Sequence, residues 1–147
     1  MLSLILAVLL ASTGTEPPRL DAQDEGLYML VHRDGHLVKD HIDKLQLDGT
    51  QWNVYKRHPD GSWESVTCEE ACLLKESTQE EIMSFTAGTE IFGFNLACVH
   101  DSAFAFCREA KEDKTRAYYL VAFVNGSSIP IKYARLNAET LEPEGAP

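Results

Sequence analysis

Residues 52–66, WNVYKRHPDGSWESV, carry the clearest fold signal in this chain of 147 residues. The segment HPDGS at 58–62 is typical of a type I turn closed by a glycine in the left-handed region, as found in β-hairpins. Pairing outward from that turn brings opposite charges and matching valines together, as expected of two antiparallel strands. The predicted pairs are Arg57–Trp63, Lys56–Glu64 and Val54–Val66.

Side chains alternate between the two faces of a strand, so this hairpin should have a core face and an outer face. The core face is predicted to hold Trp52, Val54, Val66 and Cys68. The outer face holds Tyr55, Arg57 and Trp63, which belong to residue types enriched at binding hot spots. We predict these three as surface binding residues, with a second covered face of the sheet as the alternative.

Two more Asp-Gly pairs, Asp34-Gly35 and Asp48-Gly49, predict earlier hairpin turns. A two-residue turn at Asp34-Gly35 would set Val31 opposite Val38 and Met29 opposite Asp40. In that register the core face carries Leu27, Met29, Val31, Val38 and Ile42, and the other face carries Tyr28, Leu30, His32, Lys39 and His41.

The second half of the chain contains one helix signal among strand signals. Ser77 with Glu80, or Thr78 with Glu81, forms a capping box, which predicts a short helix near residues 78–86. The apolar stretches 103–107 and 117–124 are separated by the charged KEDKT segment and predict a hairpin. The second stretch, AYYLVAFV, is typical of a central strand covered on both faces. Asn125-Gly126 starts another turn before a last strand at 129–136, in which Pro130 favours an edge position.

These signals predict a mostly β fold, on the border of α+β. We expect an antiparallel meander of about seven or eight strands that forms a small sandwich or a partly open barrel, stabilised by disulfides. Residues 26–136 form a single domain in this interpretation. Residues 15–25 are a flexible lead-in, and residues 137–147 are a disordered acidic tail.

The first eleven residues, MLSLILAVLLA, carry no charge. Such a run is too short to span a bilayer, which needs about 20 apolar residues, and it has the length of a signal-peptide core. We predict a signal peptide over residues 1–14 and a secreted or periplasmic protein without stable membrane association. An N-terminal strand or a short buried helix is the alternative.

Export decides how the four cysteines, Cys68, Cys72, Cys98 and Cys107, are interpreted. In an oxidising compartment an even number of cysteines indicates disulfides, and the pairing here can be local, crossed or nested. We favour the local pairs Cys68–Cys72 and Cys98–Cys107. In the loop-entropy model these bonds would contribute about 2 and 3 kcal/mol, less than longer-range bonds would.

The formal net charge of −10 follows from 23 acidic and 13 basic residues. An acidic surface repels phosphate backbones, which argues against nucleic acid as a partner. The same surface attracts cationic partners and speeds their encounter. We therefore expect a protein partner that carries basic residues.

Several groups of residues contain the residue types found in catalytic or metal sites. One such group, with the residue types of a metal site, consists of His32, His36, His41, Asp34, Asp40 and Asp43. The hairpin register places His32 and His36 on opposite faces, so we do not expect these two residues to share one ion. His100-Asp101-Ser102 contains the three residue types of a hydrolase triad. A triad needs its side chains to converge, whereas side chains adjacent in sequence point apart. We therefore expect Asp101 or Ser102 to be a turn residue. Cys98 and His100 share a strand face, although a nucleophilic thiolate must be free. We predict no catalytic residues, metal ligands or cofactor.

The sequence thus predicts an exported, small, acidic, non-catalytic binding protein. An inhibitor or an immunity-type protein that neutralises a cationic enzyme fits this description. The first alternative is a small exported, hydrolase-like enzyme that uses His100 with Cys98 or with a carboxylate. A structural component of the cell envelope is the second.

Overall fold

The computed structural model describes residues 17–66, 73–91 and 95–145, and within these ranges nine strands form one antiparallel sheet. Strands make up 52% of the structure, and the sheet curls into a half-barrel. The mostly β prediction with a partly open barrel is confirmed. The strands are β1 (Gly26–Val31), β2 (Leu37–Asp48), β3 (Gln51–Arg57), β4 (Trp63–Ser65), β5 (Lys75–Glu76), β6 (Leu96–His100), β7 (Phe104–Ala110), β8 (Arg116–Val124) and β9 (Ser127–Leu136). A 3₁₀ turn (Ala22–Asp24) precedes the strands, and one helix, α1 (Gln79–Thr86), follows β5.

The strand order in the sheet is β4-β3-β2-β1-β9-β8-β7-β6-β5. The first four strands form one meander and the last five form another. Pairing of β1 with β9 joins the two meanders. This is the order of an up-and-down barrel that stays open between β4 and β5. We call the gap between those two strands the seam.

The β3–β4 hairpin has the predicted register. Arg57 pairs with Trp63 and Lys56 pairs with Glu64. Gly61 adopts a φ of +86°, as the left-handed turn position requires. The prediction that Val66 belongs to the core was wrong, because Val66 is 44% exposed where the short edge strand β4 ends.

The β1–β2 hairpin differs from the predicted one, and the two-residue turn at Asp34-Gly35 was wrong. The amide of His32 donates to the carbonyl of His36 at 2.7 Å, so the turn has an additional residue, and Gly35 takes a φ of +92°. A register shift between Met29 and Val31 then places Met29 opposite Ile42 rather than Asp40.

As a result, both faces of the first hairpin are covered. Tyr28, predicted to lie on the outer face, is fully buried inside the curl of the sheet. Met29 and Ile42 lie on the outer side, where they form a second apolar cluster with Leu136.

An aromatic cluster fills the interior of the half-barrel. The ring of Tyr28 lies 4.9 Å from that of Phe106, 4.8 Å from that of Tyr118 and 5.6 Å from that of Tyr133, between ring centroids. Burial of large aromatic side chains dominates the energetics of such a core. The other fully packed members are Leu45, Trp52, Val54, Leu74 and Val99.

Helix α1 covers the outer face of β6, β7 and β8. Its N-cap is Thr78, whose side chain accepts from the amide of Glu81 while Glu81 accepts from the amide of Thr78, so this capping box is confirmed. Ile82 of the helix packs over the disulfide between Cys98 and Cys107, which lie directly opposite each other in β6 and β7. That predicted disulfide is confirmed. Cys68 and Cys72 lie outside the described residues.

Strand β8 lies inside the sheet, as AYYLVAFV predicts, with Tyr118 and Val121 buried on its two faces. Pro130 predicted that the last strand lies at an edge of the sheet, and this was wrong. The last strand, β9, pairs with both β1 and β8. Pro130 itself pairs with Val121, but pairing of β9 with β1 begins only at Lys132. The missing N–H of Pro130 therefore falls where β9 has a single neighbour.

A hydrogen bond from a residue of β3 crosses the seam. The side-chain amide of Gln51 donates to the carbonyl of Leu74 at 2.9 Å, across the gap from β3 to the residue before β5. The side chain of Leu74 is only 4% exposed and packs into the core. The two free edges of the sheet are therefore linked at this point.

The segments on either side of the strands contact the sheet. Asp24, placed by the sequence in a flexible lead-in, is fully buried. The tail predicted to be disordered folds back on β9, since Asn137 donates to Glu142 at 2.8 Å and Glu144 donates to Arg135 at 2.8 Å through backbone groups. This turn covers one end of the outer sheet face.

Candidate functional site

The three predicted binding residues lie together on the outer face of β3 and β4. Tyr55 pairs with Ser65, and Arg57 pairs with Trp63. Lys44 of β2 reaches over both aromatic rings, with its Nζ 4.9 Å from the ring centre of Tyr55 and 4.6 Å from that of Trp63. A cation over an aromatic face is attracted by the ring quadrupole, so this contact restrains all three side chains.

A polar network extends this face toward the β2–β3 turn. The carboxylate of Asp48 accepts from the side chains of Gln46 at 2.6 Å, Asn53 at 2.6 Å and Tyr55 at 2.9 Å. These three hydrogen bonds lower the pKa of Asp48. The bond between Tyr55 and Asp48 also raises the pKa of the Tyr55 hydroxyl. The Tyr55 ring is therefore fixed at its hydroxyl end as well as over Lys44.

A shallow, largely open depression of about 820 Å³ lies on this face beside Trp63. Leu27, Lys44 and Arg57 lie along it, and Leu141 of the folded C-terminal segment lies along the side away from β4. We call this concave surface the Trp63 groove. The surface combines an aromatic side chain, Trp63, with the cationic side chains of Lys44 and Arg57. Trp and Arg are residue types enriched at binding hot spots.

Sequence reasoning named Tyr55, Arg57 and Trp63 but missed Lys44. The missing signal was the β2–β3 register. Because Asp48 pairs with Gln51 across a two-residue turn, Lys44 falls opposite Tyr55. The Asp48-Gly49 pair marks that turn in the sequence, and extending the register outward from it would have placed Lys44 on the same face.

A second polar cluster, around Asp24, closes one end of the half-barrel. The Asp24 carboxylate accepts from Arg108 at 2.8 Å, from Arg116 at 2.7 Å and from the Tyr118 hydroxyl at 3.0 Å. The hydroxyl of Tyr28 donates to the backbone carbonyl of Asp24. Donors of the protein occupy both carboxylate oxygens, so this cluster fastens the N-terminal segment to the barrel.

A third cluster joins His41, Asp43 and Tyr133. The buried carboxylate of Asp43 accepts from the Tyr133 hydroxyl at 2.6 Å and lies 3.0 Å from Nε2 of His41. The hydrogen bond to Asp43 raises the pKa of His41, against the opposing effect of burial. Burial, reinforced by the Asp43 charge, raises the pKa of Tyr133.

His100, named by the sequence as a possible general base, contacts two other side chains. Its Nδ1 lies 2.7 Å from the Oγ of Ser77, and its Nε2 lies 3.0 Å from a carboxylate oxygen of Glu81. Sequence reasoning did not connect Ser77 with His100. The pairing of β5 with β6 brings them together, and β5 is too short to be recognised from a pattern of alternation.

The cysteine version of an enzyme site was wrong, because Cys98 is bonded to Cys107 and has no free thiol. The expectation that Asp101 is a turn residue is confirmed, since its carboxylate accepts from the amides of Ala103 and Phe104 at 2.7 and 3.0 Å.

The histidines of the first hairpin also differ from the expectation. The rings of His32 and His36 were predicted to point apart, but both contact the Asp34 carboxylate, at 3.1 and 2.8 Å. The longer turn explains this convergence. Within the described parts of the chain, no three His, Cys, Asp or Glu side chains form a group that could hold a metal ion.

No protein-family model, curated protein sequence or solved structure matches this chain. None of the helices among the described residues has the length and apolar character needed to cross a membrane.

Proposed function

We propose that this protein is an exported binding protein that holds a protein partner in the Trp63 groove. The observation that carries the proposal is the convergence of Tyr55, Arg57 and Trp63 on one face, with Lys44 stacked between the two rings. Interface energy is concentrated in a few Trp, Tyr and Arg side chains that need little reordering on binding. The Lys44 contacts supply that order before a partner arrives.

The charge of the chain supports a basic partner. A net charge of −10 attracts cationic proteins over a distance of about 10 Å or less in physiological salt and raises their rate of encounter. Short-range contact is then made by the aromatic and guanidinium groups of the groove. An inhibitor or immunity-type protein that neutralises a cationic enzyme is the form of binding protein we propose.

The export part of the proposal is testable on the protein isolated from its own cells. We expect the extracytoplasmic form to begin near Thr15, after loss of residues 1–14, and to show no free thiol on titration in denaturant. N-terminal sequencing and thiol titration measure both. A cytosolic protein that retains its first residues and carries reduced thiols would contradict export.

The binding part is tested with variants of the groove. The tagged chain is used to capture partners from an extract of its own cells at low and at high salt. We expect a basic protein to be captured by the natural chain at low salt and lost from Trp63→Ala and Arg57→Ala. A hot-spot loss of about 2 kcal/mol corresponds to about 30-fold weaker binding.

Arg33→Ala is the matched control for Arg57→Ala, because Arg33 is an exposed arginine at the tip of the other hairpin. It removes the same charge without touching the Trp63 groove. Equal capture by all of these variants would show that the groove is not the binding surface. Capture that does not weaken with salt would contradict the electrostatic attraction.

A further inference from the structure

We infer from the contacts of His100 that the chain has a second function, the hydrolysis of carboxylic esters, with Ser77 as the nucleophile. The Ser77 Oγ lies 2.7 Å from Nδ1 of His100, and Nε2 of the same ring lies 3.0 Å from Oε2 of Glu81. A hydroxyl and a carboxylate that contact the two nitrogens of one imidazole are the groups of a serine hydrolase. Such a set is recognised by geometry and roles rather than by the order of residues in the chain.

The carboxylate selects the tautomer that the chemistry needs. With the Glu81 carboxylate 3.0 Å from Nε2, the neutral ring keeps its proton on Nε2, facing that carboxylate. The other nitrogen, Nδ1, is then a free acceptor for the Ser77 hydroxyl. His100 is thus arranged to take a proton from Ser77, and Glu81 acts as a positioning residue that also stabilises the imidazolium formed.

Each of the three residues has a further contact that helps to hold it in place. The amide of Ser77 donates to the carbonyl of Cys98 at 2.9 Å, which fixes the serine beside β6. The His100 ring packs edge-on against Phe85, with 5.1 Å between ring centres. Glu81 is held by the capping box of α1, in which it accepts from the amide of Thr78 at 2.9 Å. Groups that are positioned before the substrate binds contribute most to catalysis.

The site is open to solvent on one side. The Glu81 side chain is 40% exposed and that of His100 is 17% exposed, while Ser77 is half-buried. The first N–H groups of a helix have no partner within the helix and attract developing negative charge. The capping box uses the amides of Thr78 and Glu81, and neither of its two bonds involves the amide of Glu80. That amide, three residues after Ser77, is the candidate donor to an oxyanion.

The reaction needs only the ester and water. Ser77 Oγ forms a bond to the ester carbonyl carbon while its proton passes to Nδ1 of His100. The carbon–oxygen bond to the alcohol then breaks, and His100 returns the proton to the departing alkoxide. Water attacks the acyl group on Ser77, gives one proton to His100, and releases the carboxylic acid as the proton returns to Oγ.

This activity is separate from partner binding in the Trp63 groove. Ser77 and His100 lie at β5 and β6, at the far edge of the second meander, whereas the groove is built on the first meander. Variants at one site can therefore be tested without altering the other.

The test combines covalent labelling with turnover, on the chain with its disulfide intact. A fluorophosphonate probe should label Ser77, as located by peptide mass spectrometry, and p-nitrophenyl acetate should be hydrolysed. We expect Ser77→Ala to lose the label and the turnover, and His100→Ala to reduce kcat by about 10² to 10⁴-fold. Ser102→Ala is the matched control, because this exposed serine lies two residues after His100, and it should behave as the natural chain does.

Glu81→Gln separates catalysis from structure. Glutamine preserves a capping box, so the helix and the melting temperature should be retained. If Glu81 positions the base, kcat falls at least about tenfold while KM is unchanged. Absence of label at Ser77, or turnover by Ser77→Ala equal to that of the natural chain, would overturn the proposal and would show that Ser77 and His100 only hold α1 against β6.

Discussion

Asp24 shows how a single residue can attach a chain segment to a barrel. The sequence around it, DAQDE, is polar and gives no indication of burial, yet Asp24 is fully buried. Its burial is tolerated because Arg108 and Arg116 neutralise the carboxylate, and these arginines come from strands far along the chain. Hydrophobic patterning cannot detect such a residue, since the charges that compensate it meet only after folding.

We expect Asp24→Asn to lower the free energy of unfolding by about 3–5 kcal/mol, because it removes the nearer and only buried carboxylate that pairs with the buried guanidinium of Arg108. Asp21→Asn is the matched control. Asp21 contacts the same arginines from a half-exposed position, and its loss should cost about 1 kcal/mol or less. Urea unfolding measures both, and equal losses would show that burial of Asp24 has no special energetic role.

His41 provides a prediction about pH. The hydrogen bond to Asp43 raises its pKa in the folded protein above the ordinary value of 6.5. The stabilisation from this contact is therefore fully present below the unfolded pKa and is lost as the pH rises through the folded one. We expect His41→Gln to destabilise the protein more at pH 5.5 than at pH 8.5, as measured by urea unfolding at a series of pH values.

Asp43→Asn provides the control for this pH effect. In that background the carboxylate is absent while burial of the ring remains, so His41→Gln should no longer destabilise the protein more at pH 5.5 than at pH 8.5. A pH-dependent difference that persists without the carboxylate would assign the effect to another group. Tyr133 keeps a hydrogen-bond partner in Asp43→Asn, since an amide oxygen still accepts from its hydroxyl.

At the scale of elements, turns were predicted best where proline and glycine restrict the backbone together. His58-Pro59-Asp60-Gly61 specified both turn and register, and the β3–β4 pairs follow it. Asp34-Gly35 lacks the proline and is compatible with turns of different length, so the predicted register was wrong. The helix was predictable because its capping box is a local signal, complete within a few residues.

The disulfide between β6 and β7 yields a prediction at the same scale. We expect the double variant Cys98→Ala with Cys107→Ala to lower the free energy of unfolding by about 3 kcal/mol, from restored loop entropy in the unfolded chain. The effect is measured by urea unfolding of the oxidised natural chain and of the variant. Reduction of the natural chain should cost at least as much, because it also opens the predicted Cys68–Cys72 bond, and a loss below about 1 kcal/mol in the double variant would contradict this contribution.

For the whole molecule, the partly open barrel could be predicted but the position of its opening could not. Local patterns identify strands, whereas the seam depends on which strand edges remain free after all others pair. The Trp63 groove was predicted in part, because one hairpin supplies Tyr55, Arg57 and Trp63. The contact between Ser77 and His100 was not, because it is made across strands by residues with no shared local pattern.

Leu74 tests the seam. We expect Leu74→Ala to lower the free energy of unfolding by about 2–5 kcal/mol, since it opens a cavity where the core reaches the gap between the sheet edges. It should also speed amide hydrogen exchange in β5. The neighbouring Leu73 is 39% exposed, so Leu73→Ala is a control of the same chemistry and should change stability by about 0.5 kcal/mol or less.

The pairing of β1 with β9 has a consequence for how the chain is made. Leu27 and Leu136 are neighbours in the sheet although they lie near opposite ends of the described chain. During synthesis the first meander therefore emerges with one side of β1 unpaired, and it stays so until the last strand arrives. An unpaired strand edge can bind another nascent chain, which makes this interval the period of greatest risk of aggregation. Folding should be slow for a domain of this size, because the contact that completes the sheet is also the most distant in sequence.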